Sequence, residues 1–115
     1  MNDPLPNKDQ TAYLRLILDA FEKIRSFLGA MSYDDFFVDS KTQSAVIMQL
    51  QVVGELVKKV DESIKEKISI PWKDIAGLRD MVAHQYFHLD LPSIWTSATE
   101  SIIEVEKEIK NYLTT

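Results

Sequence analysis

Three residues able to do chemistry share one apolar stretch, Ile75-Ala76-Gly77-Leu78-Arg79-Asp80-Met81-Val82-Ala83-His84-Gln85-Tyr86. Arg79, His84 and Tyr86 follow one another at intervals of five and two residues. Such groups are costly to bury without partners. A guanidinium binds phosphate through a fixed fork of donors, and an imidazole moves protons near neutral pH. That pairing suits cleavage of a phosphodiester that carries its own nucleophile, the 2′-hydroxyl of RNA. Such a reaction needs a base, an acid for the departing 5′-oxygen and a cation for the charge that builds on phosphorus. The plainer alternative makes Arg79 and Tyr86 surface tips of a core helix and His84 a satisfied core histidine.

The elements that must position these residues read as helices. The chain has 115 residues, 45% of them hydrophobic, which suits one domain, residues 1–115, with residues 1–8 expected to be flexible. A first helix is expected from about Asp9 to Gly29, with Leu14, Ile17, Leu18, Phe21, Ile24 and Leu28 on one face and Asn7 or Asp9 as cap. Met31 to Ser40 reads as a short helical turn that drops Phe36 or Phe37 into the core. Its aspartates, Asp34, Asp35 and Asp39, are expected to cap helices, since they lack the ordered spacing of a calcium loop.

A second helix is expected from Ser40 or Lys41 to about Ile64, on the stripe Val46, Leu50, Val53, Val57, Val60 and Ile64. Gly54 inside it would let another helix come close. Glu55 is either an exposed residue on the polar edge or a carboxylate turned inward to pair with a cation such as Arg79. Ile70-Pro71-Trp72 opens a third helix, which carries the reactive stretch. A fourth begins after Asp90, with Pro92 in its first turn and Trp95, Ala98, Ile102, Val105, Ile109 and Tyr112 facing inward, before a frayed Thr114-Thr115 tail. The expected fold is all-α, an antiparallel bundle of four main helices plus a short one.

On a regular helix Arg79 and Tyr86 fall about 20° apart in azimuth, whereas Arg79 and His84 fall about 140° apart. Either the helix ends or distorts near His84, or the two residues work across a cleft with a second molecule. The acidic balance, 13 basic against 18 acidic residues for a net charge of −5, argues against nucleic-acid binding through the overall field. Any RNA site must collect its cations locally, and pairing two chains does so. His84 and His88 have the i, i+4 spacing for a shared metal ion, with Asp80 or Asp90 as a further ligand. No HExxH motif is present, and zinc sites usually need three or four well-placed ligands, so the expectation is no metal and no cofactor. Cysteine is absent, no run approaches the roughly 20 apolar residues of a membrane span, and the N-terminus has no apolar signal core. A cytoplasmic protein with no membrane partner is expected.

Arg79, four residues, His84, one residue, Tyr86 resembles the arginine–histidine–tyrosine motif of the HEPN superfamily, and the surroundings resemble its HepT-like branch. The likeness runs through Phe36-Phe37, Lys41 to Val46, Val53-Gly54-Glu55, Ile70-Pro71-Trp72, Gly77-Leu78-Arg79-Asp80, Ala83 to Phe87 and Trp95. It implies a homodimeric toxin of a toxin–antitoxin pair, a metal-independent endoribonuclease with Arg79 and His84 in a cleft at the dimer interface. It also implies an MntA-type nucleotidyltransferase antitoxin that transfers adenylyl groups from ATP to Tyr86. Many relatives have asparagine after the arginine, where this chain has Asp80; the acid would orient Arg79 or oppose phosphate. A role of another class is a non-catalytic helical partner that presents substrate to a nucleotidyltransferase.

Overall fold

The computed structural model describes residues 10–84 and 90–115, and for residues 79–84 the backbone alone. The described residues are helical, with no strand among them: α1 (Thr11–Leu28), α2 (Tyr33–Phe37), α3 (Ser40–Lys59), α4 (Glu62–Lys65), α5 (Trp72–His84), α6 (Leu91–Thr96), a π-helical segment (Ser97–Ser101) and α7 (Ile102–Thr114). The last three form one continuous rod, so the four main helices are α1, α3, α5 and α6–α7. Among the described residues, no helix is long and apolar enough to cross a membrane.

The apolar stripes are the core. Leu14, Ile17, Phe21 and Ile24 of α1 are buried against Val46, Leu50, Val53 and Val57 of α3, and Ala98, Ile102, Val105 and Ile109 complete the cluster from the last rod. Gly29 ends α1 with φ of 52°, a left-handed conformation that costs glycine least, and its N–H donates to the Arg25 carbonyl at 2.9 Å. Phe36 is fully buried whereas Phe37 is 57% exposed, so the connection between α1 and α3 inserts one of its two phenylalanines. Phe36 lies 5.3 Å from the Trp95 ring and Tyr33 lies 5.8 Å from it, which ties α2 to α6.

The aspartates of this connection cap helices. Asp35 and Ser32 form a reciprocal capping box at the start of α2. Asp39 starts α3 by accepting from the Thr42 N–H and hydroxyl, and Asp90 starts α6 by accepting from the Ser93 N–H and hydroxyl. Asp39 is held below the ordinary value of 3.8 by the Thr42 N–H first and then its hydroxyl, and Asp90 by the Ser93 hydroxyl first and then its N–H. A carboxyl whose pKa is depressed by folding stabilises the fold above its unfolded value, and that contribution is lost as pH falls through the lower folded value. Stability should therefore decline below pH of about 4, and the double variant Asp39→Asn/Asp90→Asn should show a shallower decline, read as urea midpoint against pH. Parallel declines in the two proteins would refute the assignment of these caps.

Five local features differ from the sequence expectations, each for a physical reason. The proposed caps Asn7 and Asp9 lie outside the described residues; α1 starts at Thr11 after Gln10. Gln10 makes no side-chain cap, and its buried amide oxygen instead accepts from the Asp61 N–H at 2.8 Å. That contact accompanies the second difference, because α3 stops at Lys59 and not near Ile64. Val60 turns to an extended conformation, φ −75° and ψ 135°, and the Asp61 N–H is taken by Gln10. Val60 and Ile64 remain buried, so the stripe carries on across the break through α4.

Third, Pro71 precedes the first turn of α5, its carbonyl accepting from Ile75 N–H at 3.0 Å. The fourth difference is the π-helical segment, where the Thr99 hydroxyl donates to the Trp95 carbonyl at 2.7 Å and so competes for an acceptor of the regular ladder. Finally, α7 continues through Thr114, and the Thr115 hydroxyl donates at 2.9 Å to the Tyr112 carbonyl, one of the last-turn acceptors that a helix leaves without a backbone donor.

Candidate functional site

Helix α5 is fixed at its start by Trp72. The indole Nε1 donates to the carbonyls of Lys65 and Ile68 at 3.1 and 3.0 Å, and the Lys65 ammonium stands 5.8 Å from the ring centroid. From that anchor α5 packs along α3 with Ile75 buried and Leu78 half-buried.

The backbone of α5 is α-helical through its last residue, His84. Arg79 stands four positions after Ile75, within about 40° of that buried position, and His84 stands nine positions after it, about 180° away. α5 stays regular through His84, its last residue, and the Arg79 and His84 positions are about 140° apart on it. Within one chain, regular helix does not bring them to one point. Tyr86 and His88 lie outside the described residues. Arg79 and Asp80 are placed by their backbone in α5.

Glu55 is half-buried on α3, the helix against which α5 packs. It stands three positions after Val52 and next to Leu56, both partly buried against the core. Asp90, one of the two acids considered as a further ligand beside His84 and His88, caps α6. A cleft of about 290 Å³ lies between α5 and the last rod, lined by Phe21, Val53, Ile75, Leu78, Ile102 and Val105, with Asp74, Ser97 and Ser101 as its polar groups. A carboxylate and two hydroxyls in an apolar slot do not suit phosphate, and the described lining holds no cation.

The described residues form helices with no strand among them, and the third long helix carries arginine and histidine five residues apart, an arrangement in keeping with a HEPN-type domain. More particularly, a family model described as Ribonuclease HepT-like matches residues 17–112, and the chain belongs to that family. A Methanocaldococcus jannaschii protein named "Putative RNase MJ1216" is 37% identical over 110 residues, covering 95% of this chain and 91% of the relative. A second from that organism, "Putative RNase MJ0125", is 38% identical over 110 residues and 95% of each chain. "Probable ribonuclease HepT" of Thermococcus cleftensis is 37% identical over 91 residues, 78% of this chain and 83% of its own. No solved structure gives a significant match.

Proposed function

We propose that this chain, acting as one domain, is the toxin of a type VII-like toxin–antitoxin pair and a metal-independent endoribonuclease that works as a homodimer. Membership of a ribonuclease family supports the chemistry. The observation that carries the dimer is the unbroken α5, which keeps Arg79 and His84 about 140° apart in one copy. A symmetric pair sets Arg79 of one copy against the partner's His84 and doubles the local cations.

In this site a His84 imidazole takes the proton of the 2′-hydroxyl, the 2′-oxygen forms a bond to phosphorus, and the bond from phosphorus to the 5′-oxygen breaks. A second His84, protonated, gives its proton to that leaving oxygen. The products are a 2′,3′-cyclic phosphate and a free 5′-hydroxyl, and neither metal nor cofactor enters the balance. Arg79 holds the phosphoryl oxygens as charge accumulates. Asp80 and Glu55 support Arg79, Glu55 from the adjacent helix. Regulation falls to Tyr86: its oxygen attacks the α-phosphorus of ATP on an MntA-type nucleotidyltransferase antitoxin, pyrophosphate leaves, and the adenylyl group puts negative charge and bulk where RNA must enter.

Two measurements test this reading. Purified protein should cleave RNA in excess chelator, and an uncleaved substrate would refute it, leaving the helical-partner role. Incubation with the cognate antitoxin and ATP should add adenylyl mass to the intact protein, and Tyr86→Phe should abolish the addition. Equal labelling of that variant would move the modification to another residue.

A further inference from the structure

The cleft between α5 and the last rod holds polar groups that the fold leaves unused. Asp74 lines it from the first turn of α5. An acid at that place can bond back to the N–H of the residue before the helix, as Asp35 does to Ser32 in α2. Before α5 that residue is Pro71, which has no N–H to give. The Asp74 carboxylate makes no hydrogen bond or ion pair among the described residues. What it gives the fold is a negative charge at the positive end of a helix.

Across the cleft stand Ser97 and Ser101, the two ends of the π-helical segment. Thr99, between them, turns its hydroxyl back onto the Trp95 carbonyl, whereas the hydroxyls of Ser97 and Ser101 make no hydrogen bond among the described residues. Phe21, Val53 and Ile102 wall the slot with apolar surface. Its volume of about 290 Å³ lies at the small end of ligand sites, which run from roughly 300 to 1,000 Å³. Lys73 and Glu100, the charged neighbours of Asp74 and Ser101 in sequence, are not in the lining. Asp74 precedes His84 by about 15 Å of helix, so the cleft stands apart from the proposed catalytic position.

We infer that this cleft binds a small organic cation, a primary amine carried on an apolar stem. The ammonium donates its three N–H groups to the Asp74 carboxylate and to the Ser97 and Ser101 hydroxyls, and the stem lies against Phe21, Val53 and Ile102. Other chemistries fit less well. A phosphate or carboxylate would face Asp74 with no cation in the described lining, and a metal ion would find one carboxylate where it needs several oxygen ligands. A neutral alcohol of the same length would displace water from the slot and leave the carboxylate without a counter-charge. Since α5 packs on α3 and the last rod on α1, a bound stem also braces α5 against the rod.

The probe is hexylamine, with hexanol as its uncharged counterpart, titrated into the full chain and followed by the backbone amide signals in nuclear magnetic resonance. Hexylamine should shift the amides of Asp74, Ile75, Ser97 and Ser101 saturably and bind more tightly than hexanol. Asp74→Asn should weaken amine binding by up to about fivefold, the upper range for an ion pair open to water, and leave hexanol unchanged. The double variant Ser97→Ala/Ser101→Ala should also weaken amine binding while its melting temperature holds or rises, alanine being the better helix former. Lost affinity without lost stability is a signature that damage to the fold cannot mimic. Equal affinity of the wild type for the two probes, or undiminished amine binding in Asp74→Asn, would overturn the proposal. No binding of either probe, or shifts that spread over the whole surface without saturating, would overturn it too. Binding that splits a dimer, seen by sedimentation, would give the cleft to a second copy instead. RNA cleavage enters none of these readouts, so failure of the ribonuclease reading leaves the cleft to stand or fall by itself.

Discussion

Replacement of His84 by alanine is expected to reduce RNA cleavage in chelator by about 10²- to 10⁴-fold, the range associated with loss of a proton-transferring group. The fold should survive, because His84 is the final residue of α5 and the buried stripe of that helix includes Ile75, nine positions earlier. The informative comparison is with His88→Ala, which lies outside the arginine–histidine–tyrosine motif and should keep most of the activity. Rates measured on one RNA under one buffer, with melting temperatures alongside, decide it. Equal losses in the two variants would put acid and base within one chain. No loss in His84→Ala would remove the catalytic assignment altogether.

The largest effect on stability is expected at Phe36. It is fully buried, its ring lies tilted at 5.3 Å from that of Trp95, and its backbone carbonyl accepts from Gln43 Nε2 at 2.9 Å. The ring therefore ties α2 to α6, while the backbone carbonyl bonds α3. Phe36→Ala removes that contact and leaves a cavity, at a cost of about 3–5 kcal/mol. Phe37 is 57% exposed, so Phe37→Ala should change stability by no more than about 0.5–1 kcal/mol. Urea denaturation of the pair checks both values. Similar costs for the two substitutions would mean that the connection between α1 and α3 packs differently.

The helical stripes were readable from sequence because apolar residues at spacings of three and four can satisfy one face only. The rows Val46 to Ile64 and Ala98 to Ile109 are buried as their spacing requires. Breaks within those rows were not readable. The end of α3 coincides with the Gln10 amide, 51 residues away in sequence, taking the Asp61 N–H. The π-helical segment accompanies one hydroxyl choosing one carbonyl. Periodicity is blind to both, since neither moves a residue off its face.

The site divides along similar lines. Arg79, His84 and Tyr86 were legible as a motif, and the azimuth of Arg79 against His84 could be computed from helical geometry, but only if α5 stayed regular. The continuous helix to His84 supplies that condition. Glu55 was readable as a residue in need of an explanation, and its half-buried place on α3 keeps it beside the helix that carries Arg79.

The most direct test of the composite site is a titration of wild type with an inactive variant. His84→Ala protein, mixed with wild type under conditions that exchange subunits, forms mixed dimers whose shared cleft holds a single His84, so that either the base or the acid is missing. Chelator-resistant RNA cleavage should fall with the square of the wild-type fraction, since only wild-type homodimers keep both imidazoles. Cleavage that falls only in proportion to the wild-type fraction, with mixed dimers verified by native mass measurement, would contradict a site shared between two chains.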